Sequence, residues 1–263
     1  HAVLTVLYII ILAGGTLGVV MMSRQLFQRR SRSVMTITII SLLVLHSFML
    51  LSIPFRLSYY ILGEWKFGRF ACRLAGAVIY LHMYATFAFY AAMVIARLLR
   101  LELRRCCAAA WVGAVWLLGA LVIAPILLSY YGTSKTYGPS ECFQFHRELQ
   151  EAHMVMANYC LVGILVAVCA VLTAIQLTVL YRAAVKYWPD VNSHVEFRAQ
   201  AKSFFSILVT LVCFMPHHVF RVYYIQNYNL DKDQNLLLYN EVFLALATMC
   251  CLDMLCFVAG IAH

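Results

Sequence analysis

Residues 72–97 read CRLAGAVIYLHMYATFAFYAAMVIAR, and from Leu74 to Ala96 this stretch carries no Asp, Glu, Lys or Arg. At 1.5 Å per residue, a helix from Cys72 to Arg97 spans roughly 38 Å, a little more than the ~30 Å hydrocarbon core of a bilayer. Arginine is costly inside a bilayer, so Arg97 marks a water-facing end or a polar crevice. The stretch is therefore a membrane-spanning helix with a cysteine at one end and an arginine at the other.

The rest of the chain has the same character. Of its 263 residues, 64% are hydrophobic and 12% charged, against about 45–50% and 25% in an average globular chain. The excess apolar surface has to face lipid. Uninterrupted apolar runs of twenty or more residues exclude barrel strands, which alternate every second residue. The fold class is an all-α membrane protein.

Polar punctuation divides the chain into seven spans at about 3–22, 34–61, 71–99, 107–130, 154–182, 202–226 and 238–262. The first run lacks a basic leader and a cleavage site, so it reads as a membrane helix rather than a signal peptide. Arg24, Arg29, Arg30 and Arg32, then Arg100, Arg104 and Arg105, then Lys186 and Arg198 fall in alternate loops. The positive-inside rule makes those loops cytoplasmic, with the N-terminus outside, Cys72 facing out and Arg97 facing in. The net charge of +9 is then topological, and no basic domain exists to bind nucleic acid. No internal repeat or linker divides the chain, so residues 1–263 read as one domain.

Cys72 and Cys142 are the two cysteines that this topology places outside, where thiols meet an oxidising environment. A disulfide between them would pin the loop around GPSECFQFH over the bundle; the alternative is two free thiols. Pro54, Pro125 and Pro216 interrupt spans two, four and six and kink them. Arg56 and Arg221 follow Pro54 and Pro216 closely, near the outer mouth of the bundle. One reading is snorkelling to the headgroups. The other is a pair of cations lining an outward pocket for an anion, since Arg grips phosphate and carboxylate bidentately. Tyr80, His82 and Tyr84 in the outer half of span three either line that pocket or cross-link helices.

Seven spans, an outer cysteine 25 residues before an inner arginine, a second outer-loop cysteine and a proline in span six together resemble the rhodopsin-like (class A) G-protein-coupled receptors. PFRLSYYILGEWKFGRFACR resembles the nucleotide and cysteinyl-leukotriene receptor branch, and His218-Val219-Phe220-Arg221 is similar to the element with which nucleotide receptors meet phosphate. The resemblance implies a plasma-membrane receptor that passes an extracellular signal, from an anionic small molecule or lipid or from constitutive activity, to a heterotrimeric G protein. It implies no cofactor and no metal. Ligand-binding residues would be Arg56, Tyr80, Tyr84, His218 and Arg221.

Several family motifs are altered. Ala96-Arg97-Leu98 stands where Asp-Arg-Tyr is usual, so Arg97 lacks its neighbouring acid. Glu196, at the inner start of span six, is the candidate latch for Arg97, against a reading as a solvated glutamate. Phe214, two residues before Pro216, replaces the usual tryptophan switch. The helix-seven motif becomes Asp253-Met254-Leu255-Cys256-Phe257. His46 replaces the sodium-binding aspartate of helix two, and Gly18 the helix-one asparagine. A His46–Asp253 pair in place of sodium is the expectation; the alternative is a neutral His46 bonded to a backbone carbonyl. Trp116 stands only 19 positions after Arg97, so the second inner loop is short.

No HExxH, phosphate-cradling glycine loop or serine–histidine–acid set supports an enzyme. Buried His46 and Asp253 could serve a proton-coupled transporter or channel, but the matched broken helices of transporter repeats are missing. A non-signalling membrane scaffold is the third reading.

Overall fold

The computed structural model describes residues 2–28, 34–98, 105–123, 138, 140–143, 149, 151–230 and 235–256. Among these residues it is helical in each place where the sequence is continuously apolar. The helices are α1 (Ala2–Gln28), α2 (Val34–Leu62), α3 (Gly68–Leu98), α4 (Arg105–Leu118 with a π turn at Gly119–Ile123), α5 (Ala152–Lys186), α6 (Val195–Leu230) and α7 (Asn235–Cys256). Six of them are long and apolar enough to cross a membrane. The fourth is described only to Ile123; Pro125 and the outer part of its expected span lie outside the described residues.

Helices outrun the apolar spans, because backbone hydrogen bonding continues into the interfacial region after the side chains turn polar. α5 runs unbroken for 35 residues, in keeping with its lack of proline, and α6 begins seven residues before its apolar run. α1 packs on α2, α2 on α3, α5 on α6 and α6 on α7, α1 also packs on α7, and α3 runs through the middle against α2, α4, α5, α6 and α7. Large apolar side chains such as Val3, Leu17, Leu51, Ile164 and Val212 point outward and are more than half exposed. Such a surface is stable only in lipid.

Two local devices shape this bundle. In α6 a π turn at Thr210–Phe214 ends two residues before Pro216; the widened turn absorbs the missing N–H and the clash with the carbonyl four residues back. In α1, glycine allows close approach: a Cβ at Gly18 would meet Met254 Cβ at 3.1 Å, and one at Gly15 would meet Leu50 and Cys251 side chains at 2.8 and 3.0 Å. Gly18 thus acts as a packing position for α1 on α7.

At the Cys72 end, a disulfide joins Cys72 to Cys142 with Cα atoms 5.8 Å apart. The tethered loop lies over the end of α2, where the Trp65 N–H donates to the Ser140 carbonyl at 2.8 Å. The Trp65 indole N–H donates to the carbonyl of Gly68 at 2.7 Å, and Gly68 takes a φ of 77°, open to glycine without a Cβ penalty. Phe143 takes the left-handed region at φ 63° and is 2% exposed. Its ring packs on Tyr59, Tyr60 and Trp65, and that burial offsets the backbone cost.

Candidate functional site

Three polar clusters interrupt the apolar interior. In the first, Arg56 on α2 donates to Glu241 Oε2 on α7 at 2.9 Å and to the Tyr8 hydroxyl on α1 at 3.2 Å. Tyr60 donates to the same Glu241 oxygen at 2.9 Å. The Phe143 ring lies 4.0 Å from the guanidinium carbon, a cation–π contact that closes the cluster from the loop side. Arg56 is 1% exposed.

This arrangement corrects the expectation that Arg56 and Arg221 form a pair of cations in one pocket. Arg56 faces α7 and α1, its charge is met by a carboxylate, and it lines no part of the cavity described below. Sequence reasoning passed over Glu241, although a carboxylate within an apolar span is a functional or structural signal in its own right.

The second cluster runs across α7, α2 and α3. His46 Nε2 is 3.5 Å from Asp253 Oδ1, and His46 Nδ1 is 2.7 Å from His82 Nε2. His46 and His82 are 0% and 1% exposed, and Asp253 is 4% exposed. One proton lies between the two imidazoles, so one ring donates and the other accepts. His82 is thus a link between helices and is not among the cavity-lining residues, which decides between its two sequence readings.

The third feature is a cavity of about 490 Å³ between α3, α4, α5 and α6, within the size range of small-molecule sites. Tyr80, Tyr84, His218 and Arg221 all line it, with Asn158 and His217. The rings of Tyr80 and Tyr84 stack, and Tyr84 stacks on His218, at centroid distances of 6.4 and 6.0 Å. They form an aromatic ladder leading to Arg221. Arg221 Nε donates to Asn158 Oδ1 and its Nη1 to Asn240 Oδ1, both at 3.3 Å. Asn158 is itself oriented by donating its amide to the Met154 carbonyl at 2.7 Å. These amide contacts orient the guanidinium.

The switch residues distribute as follows. Phe214 is fully buried beneath Pro216. Glu196 accepts from the Tyr187 hydroxyl and lies 3.6 Å from Lys186. The Arg97 side chain, Phe257 and the inner loop at 99–104 lie outside the described residues, and with them the expected Arg97–Glu196 latch.

A bundle of membrane helices around a central α3, with a cavity between α3, α4, α5 and α6, is the architecture of a membrane receptor. The family model for 7 transmembrane receptor (rhodopsin family) matches residues 17–253, and the chain belongs to that family. It is similar to Probable G-protein coupled receptor 141 of Homo sapiens, 36% identical over 98% of this chain and 88% of that protein. It is also similar to the human Uracil nucleotide/cysteinyl leukotriene receptor, 29% identical over 84% of this chain and 60% of that protein. The human Cysteinyl leukotriene receptor 2 is 26% identical over 97% of this chain and 77% of that protein. The chain is thus a G-protein-coupled receptor and a multi-pass plasma-membrane protein; the family is one of receptors, not of enzymes or transporters.

Proposed function

We propose that this receptor is governed by an anionic ligand held in the cavity between α3, α4, α5 and α6. Arg221 serves as its counter-ion, and Tyr80, Tyr84 and His218 form the wall beside it. The observation that carries this reading is the convergence of those four side chains on one cavity. The disulfide at the Cys72 end supports that end, and with it the N-terminus, as extracellular, because thiols oxidise outside. The signal then leaves at the Arg97 end, where Arg97, Glu196 and the α5–α6 connection meet a heterotrimeric G protein.

Basal cAMP signalling of the receptor expressed at the cell surface tests the transducing end. Arg97→Ala is expected to reduce any ligand-independent signal at equal surface expression. An unchanged signal would remove Arg97 from the switch.

We also infer that His46 occupies the position of the usual sodium ion and pairs with Asp253, so that with Gly18 packed on α7 no room is kept for a hydrated cation. Exchanging choline for sodium at constant ionic strength is expected to leave the thermal unfolding midpoint unchanged. A ligand specific for the folded state would raise it. His46→Ala should introduce a sodium response, and Asp253→Asn in that background should abolish it. A sodium-specific rise in the unmodified receptor that survives His46→Ala and disappears with Asp253→Ala would sink the pairing.

A further inference from the structure

Toward the Arg97 end of the bundle, α5 and α6 are tied to each other by polar contacts at two levels. Gln176 on α5 is 0% exposed, and its amide Nε2 donates to both the backbone carbonyl and the side-chain Oε1 of Gln200 on α6, each at 3.0 Å. Beyond it, residues 187–194 join the two helices. There the Tyr187 hydroxyl donates to Glu196, the Tyr187 ring stacks on His194 at 4.0 Å, and Lys186 lies 3.6 Å from the same Glu196 carboxylate. The two levels stand roughly 15 Å apart along α5. A single clip leaves two rods free to swivel about it, whereas two at that separation fix both their spacing and their angle.

The seam between this hairpin and α3 is of another kind. Val94 on α3 packs with Leu172 on α5 and Ile207 on α6, among Ala91, Val168 and Leu211. A void of about 10 Å³ lies in that seam, lined by Tyr90, Val94, Leu172 and Ile207. Lipid tails are as apolar as leucine, so contacts of this sort exchange for lipid with little loss. An amide pulled from its acceptor into hydrocarbon finds no replacement there. Moving the hairpin off α3 therefore costs less than parting α5 from α6.

The two helices also differ in where they bend. α6 carries a π turn at Thr210–Phe214 and Pro216 just after it, whereas α5 runs unbroken from Ala152 to Lys186. A rod without a break tilts as a whole. Asn158 lines the cavity on α5, roughly 27 Å along the helix from Gln176, so a tilt of α5 at the cavity reappears at Gln176. From this geometry, and resting on the reading that the Arg97 end opens toward a G protein, we propose that Gln176 couples α6 to α5. The segments 176–186 and 195–209 leave α3 as one body, with α6 bending at its π turn and α5 tilting as the lever. Gln176 is then a positioning residue, acting from within the seam, and the surface offered to the G protein belongs to both helices together.

The test places nitroxide-bearing non-natural residues pairwise at positions 95, 185 and 198 of the receptor in phosphatidylcholine nanodiscs and reads their distance distributions by double electron–electron resonance. Ile95, Val185 and Arg198 are exposed on α3, α5 and α6, and the native cysteines stay in place. The 185–198 distance is expected to form a single population. Leu172→Ala enlarges the void beside α3, so it should lengthen 95–185 and 95–198 together and leave 185–198 as it was. Gln176→Met keeps the volume without the amide and should add a second, longer 185–198 population. Gln200→Glu disturbs the same seam yet keeps an acceptor, and should add none. Tyr187→Phe lies beyond the end of α5, should broaden 185–198 by itself, and serves where Gln176→Met does not fold. A 185–198 distance that lengthens with 95–198 in Leu172→Ala overturns the coupling. So does one left single by Gln176→Met, or by Tyr187→Phe where that variant is the one read. These distances are measured without G protein and the Arg97→Ala effect by signalling, so the failure of either reading shows separately.

Discussion

Glu241→Leu is expected to destabilise the receptor by about 3–5 kcal/mol, because it leaves the Arg56 guanidinium charged in an apolar interior with no counter-ion. The ion pair itself contributes far less than its disruption costs, since two charges had to be withdrawn from water to form it. The double variant Arg56→Met/Glu241→Leu should therefore recover most of the loss, although Tyr8 and Tyr60 lose a partner. Thermal unfolding in detergent, comparing the two single variants with the double, checks this. A single variant no less stable than the double would mean that Arg56 reaches water and that the cluster is not the clamp between α1, α2 and α7 described above. Charge reversal at Arg56 alone should act on folding, by setting two carboxylates side by side, whereas the exchange Arg56→Glu/Glu241→Arg should restore surface expression.

Removing the disulfide should have the next largest effect. Cys72 and Cys142 close a loop with a sequence separation of 70, and a cross-link over such a loop stabilises by about 2–4 kcal/mol, chiefly by restricting the unfolded chain. Cys72→Ser is expected to lower the unfolding midpoint accordingly, and Cys72→Ser/Cys142→Ser should cost no more than the single change. Reductant should lower the unmodified receptor and leave the variants where they are. The effect extends beyond the loop, because Cys142 positions Phe143 on the Arg56 guanidinium. If reductant and Cys72→Ser both leave the midpoint in place, then burial of Trp65 and Phe143 holds the loop without the bond.

These two features differ in how far they could be read in advance. The cysteines stood out because the topology expected from the positive-inside rule puts only two of the chain's ten thiols outside, and one oxidised pair is then the simplest reading. Tyr80 and Tyr84 stood out as polar tips in an apolar helix, open between lining a pocket and linking helices, and His218 through its resemblance to the element that meets phosphate; their stacking came only with the structure. Gly18 was read as standing in place of the helix-one asparagine, and the structure adds that a Cβ there would crowd Met254. His82 was left between two roles because which face of α3 meets α2 depends on helix rotation, and that is set by packing over the whole bundle.

The sequence by itself determined the membrane class and the positions of the helices among the described residues, because lipid admits only long apolar runs whose backbone is satisfied within the helix. It could not separate Arg56 from Arg221, two arginines each just beyond a proline in a like helix. Only the tertiary structure decided that one meets a carboxylate 185 residues away and the other lines a cavity. The physical reason is that a charge takes its role from what the neighbouring helix brings within about 4 Å, and that distance is a property of packing between helices rather than of either helix alone.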